Sequence, residues 1–165
     1  MFVTSVLLSS PVLLTGNNFE KVLLLAKMLN MSFVSSATFN RIQSLYAVPV
    51  VKDFWAEMKE KIWEVFKDEA LLLCGDARMD SPGFSAKYCV YTIMDHYLDI
   101  ITDVEIVDKR EAGGTSTVME KMGLKRIMER MMEKLKIKEV VTDASNVIIK
   151  LLRDLKGWFE MCIII

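Results

Sequence analysis

The apolar positions change period along the chain. From residue 17 to residue 66 the spacing is helical. Asn17 and Asn18 can cap a helix running to about Leu29, whose apolar set is Phe19, Val22, Leu23, Ala26 and Leu29. Ser35 or Ser36 can cap a second, with Phe39, Ile42 and Leu45 on one side, and Pro49 ends it or opens the next. The third, Val51 to Phe66, carries Val51, Phe54, Trp55, Met58, Ile62, Val65 and Phe66 as an expected buried stripe. Lys52, Glu57, Lys59, Glu60 and Lys61 take its wet side, and its tryptophans read as core. Ahead of these, Met1 to Leu14 is apolar without a clear period and is expected to form a strand or buried arm.

After residue 69 the period shortens. Ala70 to Cys74 is a continuous apolar run, read as a buried strand stopped by Gly75-Asp76. Ser81-Pro82-Gly83 makes a turn, and Tyr88 to Met94 is rich in aromatic and β-branched residues, as a second strand requires. Asp99 to Val107 alternates, which predicts Ile100, Val104 and Ile106 on a buried face and Asp103 and Glu105 on a wet one. The second and third strands form an expected antiparallel hairpin. Gly113-Gly114 opens a loop, and Thr117 with Glu120 fits a capping box for a helix to about Leu135. The methionines of that helix, Met119, Met122, Met131 and Met132 among them, read as core packing. A fourth strand, Lys138 to Val141, ends in Thr142-Asp143, and Ala144 to Leu155 is a last helix stopped by Gly157. Three helices followed by β-β-β-α-β-α predict an α/β fold with a mixed sheet.

Composition narrows the function. Hydrophobic residues make up 52% of 165 and mean hydropathy is +0.28, so a sizeable core is available. The formal net charge of -1 argues against a compact basic nucleic-acid domain. Cys74, Cys89 and Cys162, odd in number and set in apolar runs, read as buried thiols of a reducing, intracellular compartment, nucleus or cytoplasm. With the single histidine, His96, they lack zinc-ligand spacing. The first segment lacks a positive leader and is broken by Ser9, Ser10 and Pro11, so secretion is not expected. No stretch is long and charge-free enough to suggest a membrane partner.

Two carboxylates stand at equivalent places. Asp76 follows the first strand and Asp143 the fourth. If those strands are parallel neighbours, the carboxylates lie about one strand spacing apart, roughly 4.8 Å. At that separation they repel unless a cation or a proton intervenes. Oxygen ligands suit Mg²⁺, so the pair can form half of a metal site; the alternative is two ordinary turn aspartates. Asp80 is a further candidate ligand, with a turn cap as its competing role. His96 reads as a turn residue, and Lys125, Arg126 and Arg130 as a solvated helix face, interspersed with Glu120, Glu129 and Glu133.

The segment Leu73-Cys74-Gly75-Asp76-Ala77-Arg78-Met79-Asp80-Ser81-Pro82-Gly83 resembles a signature of transposase-derived proteins with a DDE-type RNase H-like domain. Ala86 to Thr92, Met119 to Lys125 and Val140 to Ala144 continue the resemblance in order, and Thr15 to Phe19 and Thr38 to Gln43 resemble the helical segment before that domain. The resemblance implies an RNase H-like fold, with Asp76 and Asp143 as the first two acidic residues of a DDE triad, Mg²⁺ or Mn²⁺ as cofactor and DNA as partner. Ala77 stands where a glycine is common in such proteins.

The expected organisation is a helical segment over residues 1–68, a partial RNase H-like domain over 69–157 and an unmatched hydrophobic tail over 158–165. The tail departs from the family, which continues into a further strand, helices and acidic residues. Met161 to Ile165 could add a strand beside the fourth, and Glu160, without supporting context, is not assigned as the third ligand. The expectation is a transposase-derived fragment whose metal binding is weak or absent and which does not cut DNA. The alternative is a non-catalytic module that binds protein or DNA.

Overall fold

A computed structural model describes residues 2–82, 85–143, 145–155 and 161–164, and of Phe2 and residues 161–164 the backbone alone. The chain falls into two compact units, residues 1–58 and 59–165, each described here by itself.

The first unit is helical. The opening segment forms helix α1, Phe2–Leu14, where a strand or arm was expected. Its inward positions include Ser9 and Val12, a helical spacing that surrounding apolar residues such as Leu7, Leu8 and Leu14 conceal in the sequence. Helix α2, Phe19–Met28, starts where Asn18 caps it, its side chain accepting from the Lys21 amide at 3.2 Å. Helix α3, Ser36–Ile42, is capped by Ser35, which accepts from the Thr38 amide at 3.2 Å. Val12, Phe19 and Phe39 form the small core, with the two phenylalanine rings stacked at 4.2 Å.

A π-helical turn, Gln43–Ala47, joins α3 to helix α4, Val48–Phe66, within which the boundary between units falls. The wider turn shifts the buried face, so Ala47 is buried and Leu45, expected inward, is exposed. The stripe predicted for α4 is likewise rotated. Val51, Phe54 and Val65 are exposed, while Trp63 and Phe66 are buried.

The second unit is a mixed sheet of order β3-β2-β1-β4-β5, made of β1 (Ala70–Met79), β2 (Tyr88–Asp95), β3 (Ile101–Asp108), β4 (Lys136–Thr142) and β5 (Met161–Ile164). The first three form an antiparallel meander, and β4 and β5 add in parallel beyond β1. Helix α5, Ser116–Met132, links β3 to β4 and packs on β3, β2 and β1. Helix α6, Asn146–Asp154, follows β4 and packs on α5. One sheet face, carrying Leu71, Leu73, Tyr91, Ile93 and Val140, shares a core with Trp63 and Phe66 of α4, Leu124, Ile127, Met128 and Met131 of α5, and Ile148, Leu151 and Leu152 of α6. The methionines of α5 are therefore core, as expected. Alternate residues on the opposite face, including Leu72, Cys74, Thr92, Met94 and Val141, stay only half-buried.

Three expectations for this unit need correction. β1 does not stop at Gly75-Asp76; it continues to Met79, because β2 supplies partners as far as Met79↔Cys89. Gly75 serves packing rather than a turn: a Cβ there would stand 3.0 Å from the Tyr91 ring. The faces of β3 are inverted. Asp103 is fully buried and Ile106 is 62% exposed, because Asp103 and Glu105 lie under α5. Arg130 donates to Asp103 at 3.0 and 3.1 Å and to Glu105 at 2.6 Å, and Arg126 reaches Glu105 and Glu111. Arg126 and Arg130 are thus the cover of an acidic strand rather than a solvated face. Finally, α5 begins after Thr115, not at a Thr117–Glu120 box, and Thr115 makes no side-chain capping bond.

Gly157 and Ala144, named as helix limits, Glu160 and the rest of the tail apart from the backbone of β5 lie outside the described residues. No helix among the described residues is long and apolar enough to cross a membrane.

Candidate functional site

Parallel pairing of β1 and β4 builds the site. The register runs Cys74↔Val141, Gly75↔Thr142, and the next residues on the two strands are Asp76 and Asp143. Both carboxylates are exposed and line a groove of about 420 Å³ on the half-buried sheet face. Asp76 is held by its own backbone, Oδ1 accepting from the Ala77 amide at 2.7 Å. Asp143 sits where the chain leaves β4, its carbonyl accepting from the Ser145 amide at 2.8 Å. Beside them the buried hydroxyls of Tyr91 and Thr142 lie 3.0 Å apart.

A third carboxylate enters from the helix layer. Glu120 and Gly123 stand one turn apart on α5, and Gly123 rests on the Tyr91 side chain. This puts Glu120, half-buried, near the same end of the sheet. Burial raises its pKa above the ordinary value, and the fields of Asp143 and then Asp76 raise it further. The three carboxylates act together on Tyr91, whose hydroxyl is pushed up mainly by burial and then by Glu120, Asp76 and Asp143, against the hydrogen bond from Thr142. They also act on Cys89, pushed up to about 11 by burial, then Glu120 and Asp76. The sequence reading missed Glu120 because it assigned the residue to a cap. Its spacing with Gly123 and Ile127, the i, i+3, i+7 of a sheet-facing stripe, was the available signal.

The remaining candidates lie elsewhere. Asp80 closes the β1–β2 connection: Oδ1 accepts from the Lys87 and Tyr88 amides at 2.8 and 3.2 Å, and the Tyr88 bond is the main cause of its lowered pKa. It is not among the groove residues. His96 is exposed in the β2–β3 turn, with Nδ1 3.8 Å from Cys74 Sγ. Cys74 is half-buried rather than buried. Lys125 pairs with Glu129 at 3.6 Å.

The donor set suits a hard cation in part. Asp76 and Asp143 offer carboxylate oxygens from adjacent strands, whereas the Thr142 hydroxyl is engaged with Tyr91. Among the described residues, no three His, Cys, Asp or Glu side chains converge closely enough to hold a metal ion. Two carboxylates from adjacent strands are fewer donors than a two-ion phosphoryl-transfer site uses.

A second groove, of about 690 Å³, is basic. Lys87, Lys109 and Arg110 line it together with Tyr88, Asp108 and the left-handed glycines Gly113 and Gly114. Arg110 forks onto Asp108, with Nε 3.0 Å from Oδ1 and a terminal nitrogen 2.6 Å from Oδ2, and this bond holds the Asp108 carboxyl down at about 2.

No family model matches the sequence, and no curated protein matches it either.

Proposed function

We propose that this chain carries a remnant of a DDE-type, RNase H-like strand-transfer site that binds one divalent cation weakly and does not cut DNA. The observation carrying this reading is the β1–β4 register, which sets Asp76 and Asp143 side by side in one groove. The sheet order and the helix linking β3 to β4 are consistent with it. A Mg²⁺ or Mn²⁺ ion held by Asp76 and Asp143 would supply charge stabilisation to a phosphate oxygen. Asp80, tied to two backbone amides, takes no part. The absence of a convergent third ligand among the described residues favours binding without cleavage.

The test pairs Mn²⁺ titration with a nicking assay on supercoiled DNA. One weakly bound ion is expected, lost in Asp76→Asn and Asp143→Asn, with no nicking. Metal-dependent nicking that disappears in Asp76→Asn would overturn the inactive reading, and absence of any ion would overturn the remnant site.

The alternative, a non-catalytic DNA-binding module, draws support from the basic groove of Lys87, Lys109 and Arg110. Cationic side chains there would neutralise phosphates, and the exposed ring of Tyr88 offers a stacking surface. Binding that weakens steeply with salt and is reduced in Lys87→Ala would support it. No gel shift at low salt would remove it.

A further inference from the structure

We propose that Cys74, Met94 and His96 form a site for a soft monovalent cation, Cu(I), distinct from the carboxylate pair. Cys74 of β1 and Met94 of β2 are direct partners in the antiparallel register. Directly opposed residues in such a pair share one sheet face, with Cβ atoms about 5 Å apart. Both line the 420 Å³ groove and both are half-buried, so a small ion can reach them. His96 follows two residues after Met94, at the turn, where its backbone amide donates to the Leu72 carbonyl at 2.9 Å. That bond anchors the residue beside β1, and its Nδ1 stands 3.8 Å from Cys74 Sγ.

The sulfur–nitrogen distance is informative. With metal–sulfur and metal–nitrogen bonds of about 2.3 and 2.05 Å, one ion joining the two spans roughly 3.6 Å at a tetrahedral angle, 3.8 Å at a trigonal one and 4.35 Å at a linear one. The Sγ–Nδ1 separation of 3.8 Å falls within that range, so one ion can join the pair with little movement. A thiolate, a thioether and an imidazole form a donor set that favours Cu(I) over hard divalent ions. Zinc in a structural site takes four ligands, and no group of three His, Cys, Asp or Glu residues converges among the described residues to supply them without the thioether.

Binding needs no electron transfer. The Cys74 S–H bond breaks, its proton goes to solvent and a sulfur–copper bond forms. Met94 donates a thioether lone pair. His96 donates the Nδ1 lone pair while Nε2 keeps its hydrogen.

The experiment titrates the reduced, full-length chain with Cu(I) under anaerobic conditions against a chromophoric Cu(I) chelator, with Zn(II) in parallel. One Cu(I) per chain is expected. Cys74→Ser should abolish that binding, and Met94→Leu and His96→Gln should each weaken it by about tenfold or more. His96 is exposed in a turn, so His96→Gln tests the site even if Cys74→Ser fails to fold. His96→Gln should leave Mn²⁺ binding by Asp76 and Asp143 unchanged, which separates this site from the carboxylate pair. Unchanged Cu(I) affinity in His96→Gln, Zn(II) binding tighter than Cu(I), or no stoichiometric Cu(I) binding would each overturn the proposal.

Discussion

Gly123 of α5 rests directly on Tyr91 of β2: a Cβ added at Gly123 would stand 2.9 Å from the Tyr91 Cβ. The contact brings the helix close enough to the sheet for Glu120 to share the field of Asp76 and Asp143. An alanine would gain up to about 1 kcal/mol of helix propensity. Overpacking a rigid contact typically costs about 1–3 kcal/mol. Tyr91 is fully buried and cannot swing away, so the cost wins. Gly123→Ala should therefore lower stability by about 1–2 kcal/mol in urea denaturation, whereas an ordinary helix-interior glycine would gain from the same change. A gain in stability would show that the helix shifts freely.

The Tyr91 hydroxyl meets Thr142 at 3.0 Å in a buried setting. Tyr91→Phe keeps the ring and leaves the Thr142 hydroxyl without that partner. A buried polar group left unpaired costs about 1–3 kcal/mol. The expected loss is near the lower end, because only one neutral bond is removed. Thr142→Val in addition removes the orphaned hydroxyl and should recover part of the loss; a double variant no more stable than Tyr91→Phe would contradict the coupling.

Beyond Leu14, element order was readable from period alone, because continuous apolar runs and i, i+3, i+4 stripes differ plainly at Leu71–Cys74 and Leu124–Met131; the opening helix was not, because apolar residues cover most of its faces. Faces were not. Asp103 and Glu105 alternate with apolar residues as a wet face would, and nothing local distinguishes water from Arg126 and Arg130 as their cover. In α4, Trp63 packs in the sheet core and donates its ring N–H to the Thr102 carbonyl at 2.9 Å, a partner that no local spacing along the helix reveals. Asp76 and Asp143 could be paired in the sequence because each follows an apolar run. The neighbours Cys74, Met94 and His96 could not, because their proximity depends on strand register, which no single segment encodes.

Arg130 spans two acids beneath α5. Asp103 is fully buried, 3.0 Å from the Arg130 guanidinium and 3.5 Å from Lys59. Arg130→Met removes the main charged partner and leaves a buried carboxylate with Lys59 and the Val104 amide, which donates to Oδ1 at 2.8 Å. Breaking such a pair costs about 3–5 kcal/mol. With Lys59 still present, a loss of about 3 kcal/mol is expected, read as a lower urea midpoint at unchanged slope. Arg130→Met with Asp103→Leu should restore most of it, since an apolar pair needs no partner. A single-variant loss below about 1 kcal/mol would mean that the network is solvated.

Glu120 gives the site a signature in pH. Its pKa in the fold lies above the ordinary 4.5, first because of burial and then because of Asp143 and Asp76. Between the unfolded and folded values the folded chain holds more protons, so stability falls as pH rises through that window. Above the window the charged Glu120 is a standing cost; below 4.5 that cost is gone. Glu120→Gln removes the charge at every pH. Its melting temperature should exceed that of the unaltered chain by a few degrees at pH 7, and the difference should vanish by pH 3. Asp143→Asn should shrink the pH 7 gain, because one source of the repulsion is then absent. A gain that persists undiminished at pH 3 would place its origin in packing rather than charge, and no gain at pH 7 would separate Glu120 from the Asp76–Asp143 field.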